Sequence, residues 1–355
     1  MLISAKRLTE FVEAIISKGS GNPQAAAQVS RHLVEANLCG HDSHGVGVIP
    51  LYLEAIQEGQ LHTDAKLEVV QDKGPFLQVD GNRGFGQVIA RQAMELAIEK
   101  ARTNHIAVLS LRNSFHIGRI GAWGTMAAEA GFISMHYVNV LSPNSIVAPF
   151  GGTEARFATN PYCTAIPATD RHPMFLFDMA TSTIAMGKAR VAYNKGVEVP
   201  DNSLVDHEGN PTNDPAVMFE EPIGALRTMG QHKGFGMALI CDILAGSFSG
   251  GGAFLPERIV PSRVVNNMLA ILIDPNVFGG AENFFGDIDN YADWVKSSPP
   301  ATGVDEVMFP GDPERKSRAD REANGVPIDD NTWAQLLAWA EAVGIEDGEV
   351  SRMIG

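Results

Sequence analysis

Between two stretches of helical periodicity the chain places Gly40-His41-Asp42-Ser43-His44-Gly45, two imidazoles, a carboxylate and a hydroxyl between glycines. The residues before it predict a helix over 23–38. Asn22 is its N-cap, Pro23 takes the first helical position, and Gly40 suits a left-handed stop. The residues after it predict a second helix from about His44 to Glu58, with Ile49, Tyr52, Leu53 and Ile56 at helical spacing and Ser43 as its cap. A helix N-terminus beside two imidazoles makes a polar, anion-accepting corner. A capped turn carrying solvated histidines explains the same residues, because turns collect polar side chains.

The rest of the chain predicts an α/β protein. Helical patterns at 8–18 and 23–38 precede short strands at 67–70 and 76–80 and a long helix over 87–102. A buried-type strand at 106–111, a helix at 120–130 and a strand at 132–138 follow. Further strands are predicted at 163–166 and 175–178, and a helix from Thr181 to about Tyr193. Residues 198–219 read as a loop-like flap, and 235–248 as a strongly apolar helix. A strand at 270–274, a helix at 281–296 and a closing helix at 333–343 complete the pattern. This divides the chain into a helical part, residues 1–66 with 312–355 packing on it, and an α/β part over 67–311.

Composition narrows the function. Lys and Arg number 27 against 42 Asp and Glu, a net charge of -15, so a nucleic-acid backbone would be repelled over most of the surface. Cys39, Cys163 and Cys241 are far apart and form no CxxC, which fits a reducing cytoplasm. No apolar signal core opens the chain, and no run is long enough to cross a membrane.

Neither Gly84-Phe85-Gly86 nor Gly234-Phe235-Gly236 completes a strand–GxGxxG–helix fingerprint, so a Rossmann domain is not expected. Asn113-Ser114-Phe115-His116-Ile117-Gly118-Arg119-Ile120-Gly121 lies between a strand and a helix. His116 stands at the mouth of that loop, with the amides from Gly118 to Gly121 directed at an anion. Asp178 ends an apolar strand, where it either orients a histidine or caps the next helix. Lys233 follows His232 at a helix start, unfavourable for the helix dipole unless a phosphate or ribose is near. Pro310-Gly311-Asp312 is a turn before the tail. No HExxH or second histidine pair supplies a metal site, and no GxSxG elbow marks a hydrolase.

Together these stretches resemble the type-2 malate/L-lactate dehydrogenase family, and within it the hydroxycarboxylate dehydrogenase B branch. The shared marks are Asp42-Ser43-His44-Gly45-Val46 with Tyr52, His116 with Gly118 and Gly121, Asp178-Met179-Ala180-Thr181-Ser182, Gly187-Lys188, His232-Lys233-Gly234 and Pro310-Gly311. The resemblance implies a helical domain plus a non-Rossmann α/β domain with a mixed sheet, and a homodimer. The reaction it implies is hydride transfer between a nicotinamide and a 2-hydroxy/2-oxo acid. Reduction of a cyclic imino acid is the alternative, and a catalytically silent metabolite-binding homologue a third. His44 and His116 are the implied acid/base candidates, oriented by Ser43 and Asp178. The implied cofactor contacts are His44, Gly118, Arg119, Ile120, Asp178, Met179, Ala180, His232, Lys233, Pro310, Gly311 and Asp312. NAD is expected through the branch, with NADP open. Many members carry arginine four residues after the motif histidine, where this chain has Val48. An apolar Val48 beside Tyr52 predicts a bulky or apolar substrate side chain, and leaves Arg119 or Arg190 to meet the carboxylate.

Overall fold

The computed structural model describes residues 1–258 and 264–355. Strand β1 (Leu2–Ile3) leads into helices α1 (Ala5–Ser20) and α2 (Pro23–Leu38). The side chains of Ser4 and Asn22 accept from the Arg7 and Ala25 amides and so cap these helices. Gly40, at φ 82°, ends α2 in the expected left-handed turn. The next helix begins later than His44. Asp42–His44 and Val46–Val48 form two 3-10 turns, and α3 runs Ile49–Gln57. Gly45 is extended between the turns, which interrupts the helical run, so Ser43 caps no helix.

Next in the chain come β2 (Glu68–Lys73), β3 (Phe76–Asp80), α4 (Gly86–Asn104), β4 (Ile106–Ser114), α5 (Gly121–Glu129), β5 (Ile133–Leu141), β6 (Tyr162–Ile166) and β7 (Phe175–Met179). Helix α6 (Met186–Lys195), strands β8 (Leu204–Val205), β9 (Pro211–Thr212) and β10 (Ala225–Leu226), and helix α7 (His232–Cys241) follow. A π-helical segment, Asp242–Phe248, continues α7 and precedes β11 (Val265–Ile273). The closing elements are α8 (Ala281–Lys296), α9 (Asp312–Asn324), β12 (Val326–Pro327), α10 (Asp330–Ala342) and α11 (Asp347–Ile354).

Seven strands make one mixed sheet in the order β2-β3-β4-β11-β5-β6-β7. Only β3 and β4 run parallel, and each other neighbouring pair is antiparallel. That pattern excludes a doubly wound parallel sheet and agrees with the missing fingerprint. Ile89, Ala93, Met94 and Ala97 of α4 and Trp123 and Ala127 of α5 pack on Leu109, Leu111, Val138 and Ala270 of the sheet. A separate core joins α1, α2 and α3 to Leu336, Ala340, Ile345 and Val350 of the tail, and β1 pairs with β12.

Two expectations need correction. Helix α6 starts at Met186, because Thr181 and Ser182 are held extended: the Thr181 hydroxyl donates to Thr159 O, and Ser182 bridges to Thr228. The segment read as a flap contains β8 and β9, which with β10 form a three-stranded antiparallel sheet over a core of Val147, Phe157, Leu204 and Leu226.

The central strands carry buried polar groups. Asn266 and Asn267 of β11 turn their side-chain oxygens to the Ile117 and Asn113 amides at 3.0 and 2.8 Å. These bonds fix the segment that carries His116. His136 of β5 is fully buried, with Ser134 Oγ at 3.0 Å, and burial pushes its pKa down to about 3. In the unfolded chain this imidazole takes a proton near pH 6.5, whereas in the fold it stays neutral. Its stabilising contribution is therefore complete above pH 6.5 and lost as pH falls toward 3. We expect His136 alone to lower stability by about 2 kcal/mol between pH 7 and pH 5. Urea melts at the two pH values check this, and a midpoint unchanged between them would contradict it.

Candidate active site

The 3-10 turn Asp42–His44 and the loop after β4 bring the two motif imidazoles together. The rings of His44 and His116 stack with centroids 5.5 Å apart and planes 20° from parallel. Ser43 Oγ lies 3.0 Å from His44 Nδ1. Tyr52, fully buried on α3, places its hydroxyl 2.7 Å from His116 Nδ1, and Gln87 Nε2 donates to that hydroxyl at 2.5 Å. The tyrosine oxygen accepts from Gln87, so its single proton goes to His116 Nδ1. The proton of the neutral imidazole is then on Nε2. Burial lowers the pKa of His116 to about 3, helped by His44 and His32. Burial likewise takes His44 to about 4, helped by His41 and Arg119. At neutral pH the free site holds two uncharged imidazoles.

Helix α9 pins this corner from outside. Asp42 accepts from Arg321 Nη1 and Nη2 at 2.6 and 3.0 Å, and His41 pairs with Glu314 at 3.1 Å. Both partners lie on α9, which the sequence pattern missed because eight of its thirteen residues are charged and none is buried. The signal present was Pro313 in the first turn with Asp312 and Glu314 beside it.

The β4–α5 connection continues from His116 to Arg119 and Gly121. Arg119 is 2% exposed, donates to Glu35 Oε1 at 2.8 Å, and holds Nη1 3.8 Å from Asp178 with no hydrogen-bond partner. Asp178 accepts the Gly121 amide at 2.7 Å, so here it meets the start of α5 and Arg119 rather than an imidazole. Burial raises the Asp178 pKa while Arg119 opposes the rise. His32 Nε2 accepts the Arg119 amide at 3.1 Å. Glycine is required twice in this loop. Gly118 sits at φ 73° with His32 Nε2 2.2 Å from where a Cβ would lie, and a Cβ on Gly121 would lie 2.2 Å from Arg119 Nη1.

A cleft of about 950 Å³ opens here, lined by Arg31, Arg91, Arg119, Arg315 and Arg318 together with Met174 and Gly311. Five arginines line this cleft together with Glu35, Glu129 and Glu314, in a chain whose net charge is -15. Gln28, Arg31, His32 and Glu35 line it from α2, at helical spacing opposite the buried Val29 and Leu33, and Cys39 lines it from the end of that helix. That polar face was legible in the sequence but lay outside every motif. Pro310 O accepts the Leu176 amide at 3.2 Å, which ties the 310–312 turn to β7 at the cleft. Asp312 is engaged by Lys296 and Arg315, which hold its carboxyl well below the usual range against the opposing effect of burial. Met179 ends β7, and Ala180 follows it half-buried.

Other expected site residues stand apart. His232 and Lys233 open α7, both exposed, with the His232 ring edge-on to Phe150 at 5.9 Å. Arg190 is exposed on α6 with its guanidinium 3.5 Å above the Phe219 ring. Among the described residues no hydrogen bond, ion pair or ring contact joins these three to the imidazole pair. The start of α6 does approach the corner, since a Cβ on Gly187 would lie 3.3 Å from that of Ser43. Val48 is half-buried at the N-cap of α3 and packs on the helical core. It shares no helical turn with His44, but it precedes Tyr52 by four residues. Among the described residues no group of three His, Cys, Asp or Glu side chains could hold a metal ion.

The chain matches the malate/L-lactate dehydrogenase family over residues 3–337. Hydroxycarboxylate dehydrogenase B of Escherichia coli strain K12 is 42% identical over 345 residues, which cover 97% of this chain and 94% of the relative. The solved sulfolactate dehydrogenase of Methanocaldococcus jannaschii superposes with a TM-score of 0.86 at 30% identity, covering 100% of both chains. The delta1-piperideine-2-carboxylate reductase of Pseudomonas syringae pvar. tomato superposes with a TM-score of 0.82 at 27% identity, covering 96% of this chain and 100% of that one. This chain belongs to the malate/L-lactate dehydrogenase family and is an oxidoreductase of hydroxy acids.

Proposed function

We propose that the protein transfers a hydride between a nicotinamide cofactor and a 2-hydroxy/2-oxo acid whose side chain is bulky or apolar. The observation that carries this reading is the stacked His44–His116 pair, backed by Tyr52. A nicotinamide supplies or accepts the hydride when bound. The arginine-lined cleft and the buried, unpartnered Nη1 of Arg119 fit the diphosphate of such a cofactor. Gly118, Arg119 and Ile120 would hold it on one side, Asp178 to Ala180 and Pro310 to Asp312 on the other. The contacts expected from His232 and Lys233 remain part of this proposal, as does the preference for NAD over NADP. His44 and His116 hold the proton exchanged at the substrate oxygen, and a substrate carboxylate beside them raises their depressed pKa values toward neutrality.

The same reading has two parts of the fold at work, 1–66 with 312–355 as the helical part and 67–311 as the cofactor- and substrate-binding part. Exposed Phe248, Tyr291 and Trp294 support a homodimer, and three free buried cysteines support a cytoplasmic setting. Fluorescence titration with both reduced cofactors, followed by turnover of a panel of 2-oxo acids, tests the proposal. Binding of neither cofactor and no turnover would overturn it. The likeness to a piperideine-carboxylate reductase favours a second reading, reduction of a cyclic imino acid, and a cyclic imine in the same panel separates the two.

Val48 supplies the specificity prediction. An unpaired second carboxylate facing an apolar wall incurs a desolvation cost of several kcal/mol. We expect phenylpyruvate-like acids to be better substrates than oxaloacetate, and Val48→Arg to shift preference toward the dicarboxylate. The ratio of kcat/KM for both acids in both proteins is the measurement. A wild-type preference for oxaloacetate would refute the apolar-wall argument.

A further inference from the structure

We propose that Gln87 is a positioning residue for His116: its side-chain amide, acting through the Tyr52 hydroxyl, sets which imidazole nitrogen carries the proton. The inference rests on the reading that His116 faces the substrate oxygen. Gln87 is the second residue of α4 and is 2% exposed, and Tyr52 is fully buried, so neither has bulk water as a partner. The chain Gln87 Nε2–H to Tyr52 to His116 Nδ1 has contacts of 2.5 and 2.7 Å, while Gln87 Oε1 is buried and accepts nothing.

That idle oxygen makes the chain reversible. A half-turn of the amide about its last bond exchanges Oε1 for Nε2 without moving another side chain. Oε1 then accepts from the Tyr52 hydroxyl, whose oxygen accepts in turn from His116 Nδ1–H. The two arrangements differ in what His116 can do. In the first, Nε2 already bears hydrogen and only donates a hydrogen bond. Releasing that proton would draw the Tyr52 proton onto Nδ1 and leave a buried tyrosinate, which burial strongly opposes.

In the second arrangement Nε2 has a free lone pair. A bound nicotinamide would take the hydride from the substrate carbon; as the alcohol becomes a carbonyl, its proton passes to His116 Nε2 and the imidazolium keeps Nδ1–H on Tyr52. Ketone reduction is the reverse, with the imidazolium returning its Nε2 proton to the substrate oxygen. Only the acceptor form of Gln87 supports this exchange. The other titratable groups around His116 are His44, stacked on it from the 3-10 corner, and His32 of α2, and a proton on either disfavours one on His116.

Gln87→Glu and Gln87→Met separate this role from packing. A carboxylate only accepts, so Gln87→Glu fixes Nδ1–H and stabilises the imidazolium. Methionine keeps the volume but accepts nothing, so the Tyr52 proton turns permanently to Nδ1. Nitrogen-15 NMR of the cofactor-free protein reads the His116 tautomer and pKa directly. We expect the pKa to rise by a unit or more in Gln87→Glu and to fall in Gln87→Met. The acidic limb of the kcat/KM profile should follow in the same opposite directions. Gln87→Met should lose about 10- to 100-fold in kcat. An unchanged tautomer and pKa in both variants, or shifts of the same sign, would overturn the proposal. If Gln87→Met does not fold, the Gln87→Glu comparison with wild type decides alone. Opposite NMR shifts in a protein that turns over none of the panel would leave the relay standing and remove the functional reading.

Discussion

His116→Ala is expected to lower kcat by about 100-fold or more, and His44→Ala to lower it as well. His116 is held on one nitrogen by Tyr52 and faces His44 across a ring stack, so its remaining nitrogen is the one available to a substrate. Alanine removes the only imidazole on this hydrogen-bonded chain, while the segment stays anchored by Ile117 on Asn266 and by Asn113 on Asn267. The fold should therefore survive, and circular dichroism with a thermal melt establishes that before kinetics are compared. Single-turnover reduction with each variant is the measurement. Full activity in a folded His116→Ala protein would remove that residue from the chemistry.

Arg119→Met is expected to destabilise the protein by about 3–5 kcal/mol. Arg119 is almost wholly buried and bonded to Glu35, with Asp178 3.8 Å away. Methionine keeps much of the volume but removes the charge, leaving the Asp178 carboxylate, 7% exposed, without its cation. Glu35 keeps a second partner in Arg318, so the larger share of the loss belongs to Asp178. Equilibrium urea unfolding at pH 7 gives the number. The double variant Arg119→Met/Asp178→Asn should recover part of it, because the stranded charge is gone. A single variant within about 1 kcal/mol of wild type would mean that the ion pairs contribute little beyond their desolvation cost.

Much of this arrangement is legible in the sequence. Helix α2 was legible to the residue, because Asn22-Pro23 and Gly40 are local signals with local causes. The sheet strands followed from apolar runs, and the absent fingerprint agreed with a mixed, largely antiparallel sheet. His44, His116 and Tyr52 were each singled out, but the order of contact was not, since a stack across 72 residues of chain leaves no trace in spacing. A helix beginning at His44 puts Val48 one turn further along the same face, and the extended Gly45 breaks that turn. Helix α9 escaped detection because its stability comes from charges that reach other elements rather than from an apolar stripe. Gln87 escaped because a polar residue inside a helix announces nothing until its neighbours are known.

The attachment of the Asp42 corner to α9 has a consequence for the order in which the protein is made. Arg321 and Glu314 leave the ribosome after more than 260 further residues have followed Asp42 and His41. A nascent chain holding the whole seven-stranded sheet still lacks the two side chains that secure its Asp42 corner. The imidazole pair thus acquires its final anchorage only when translation has passed the last sheet strand. Until then a growing chain has a sheet to fold but an unpinned Asp42 corner.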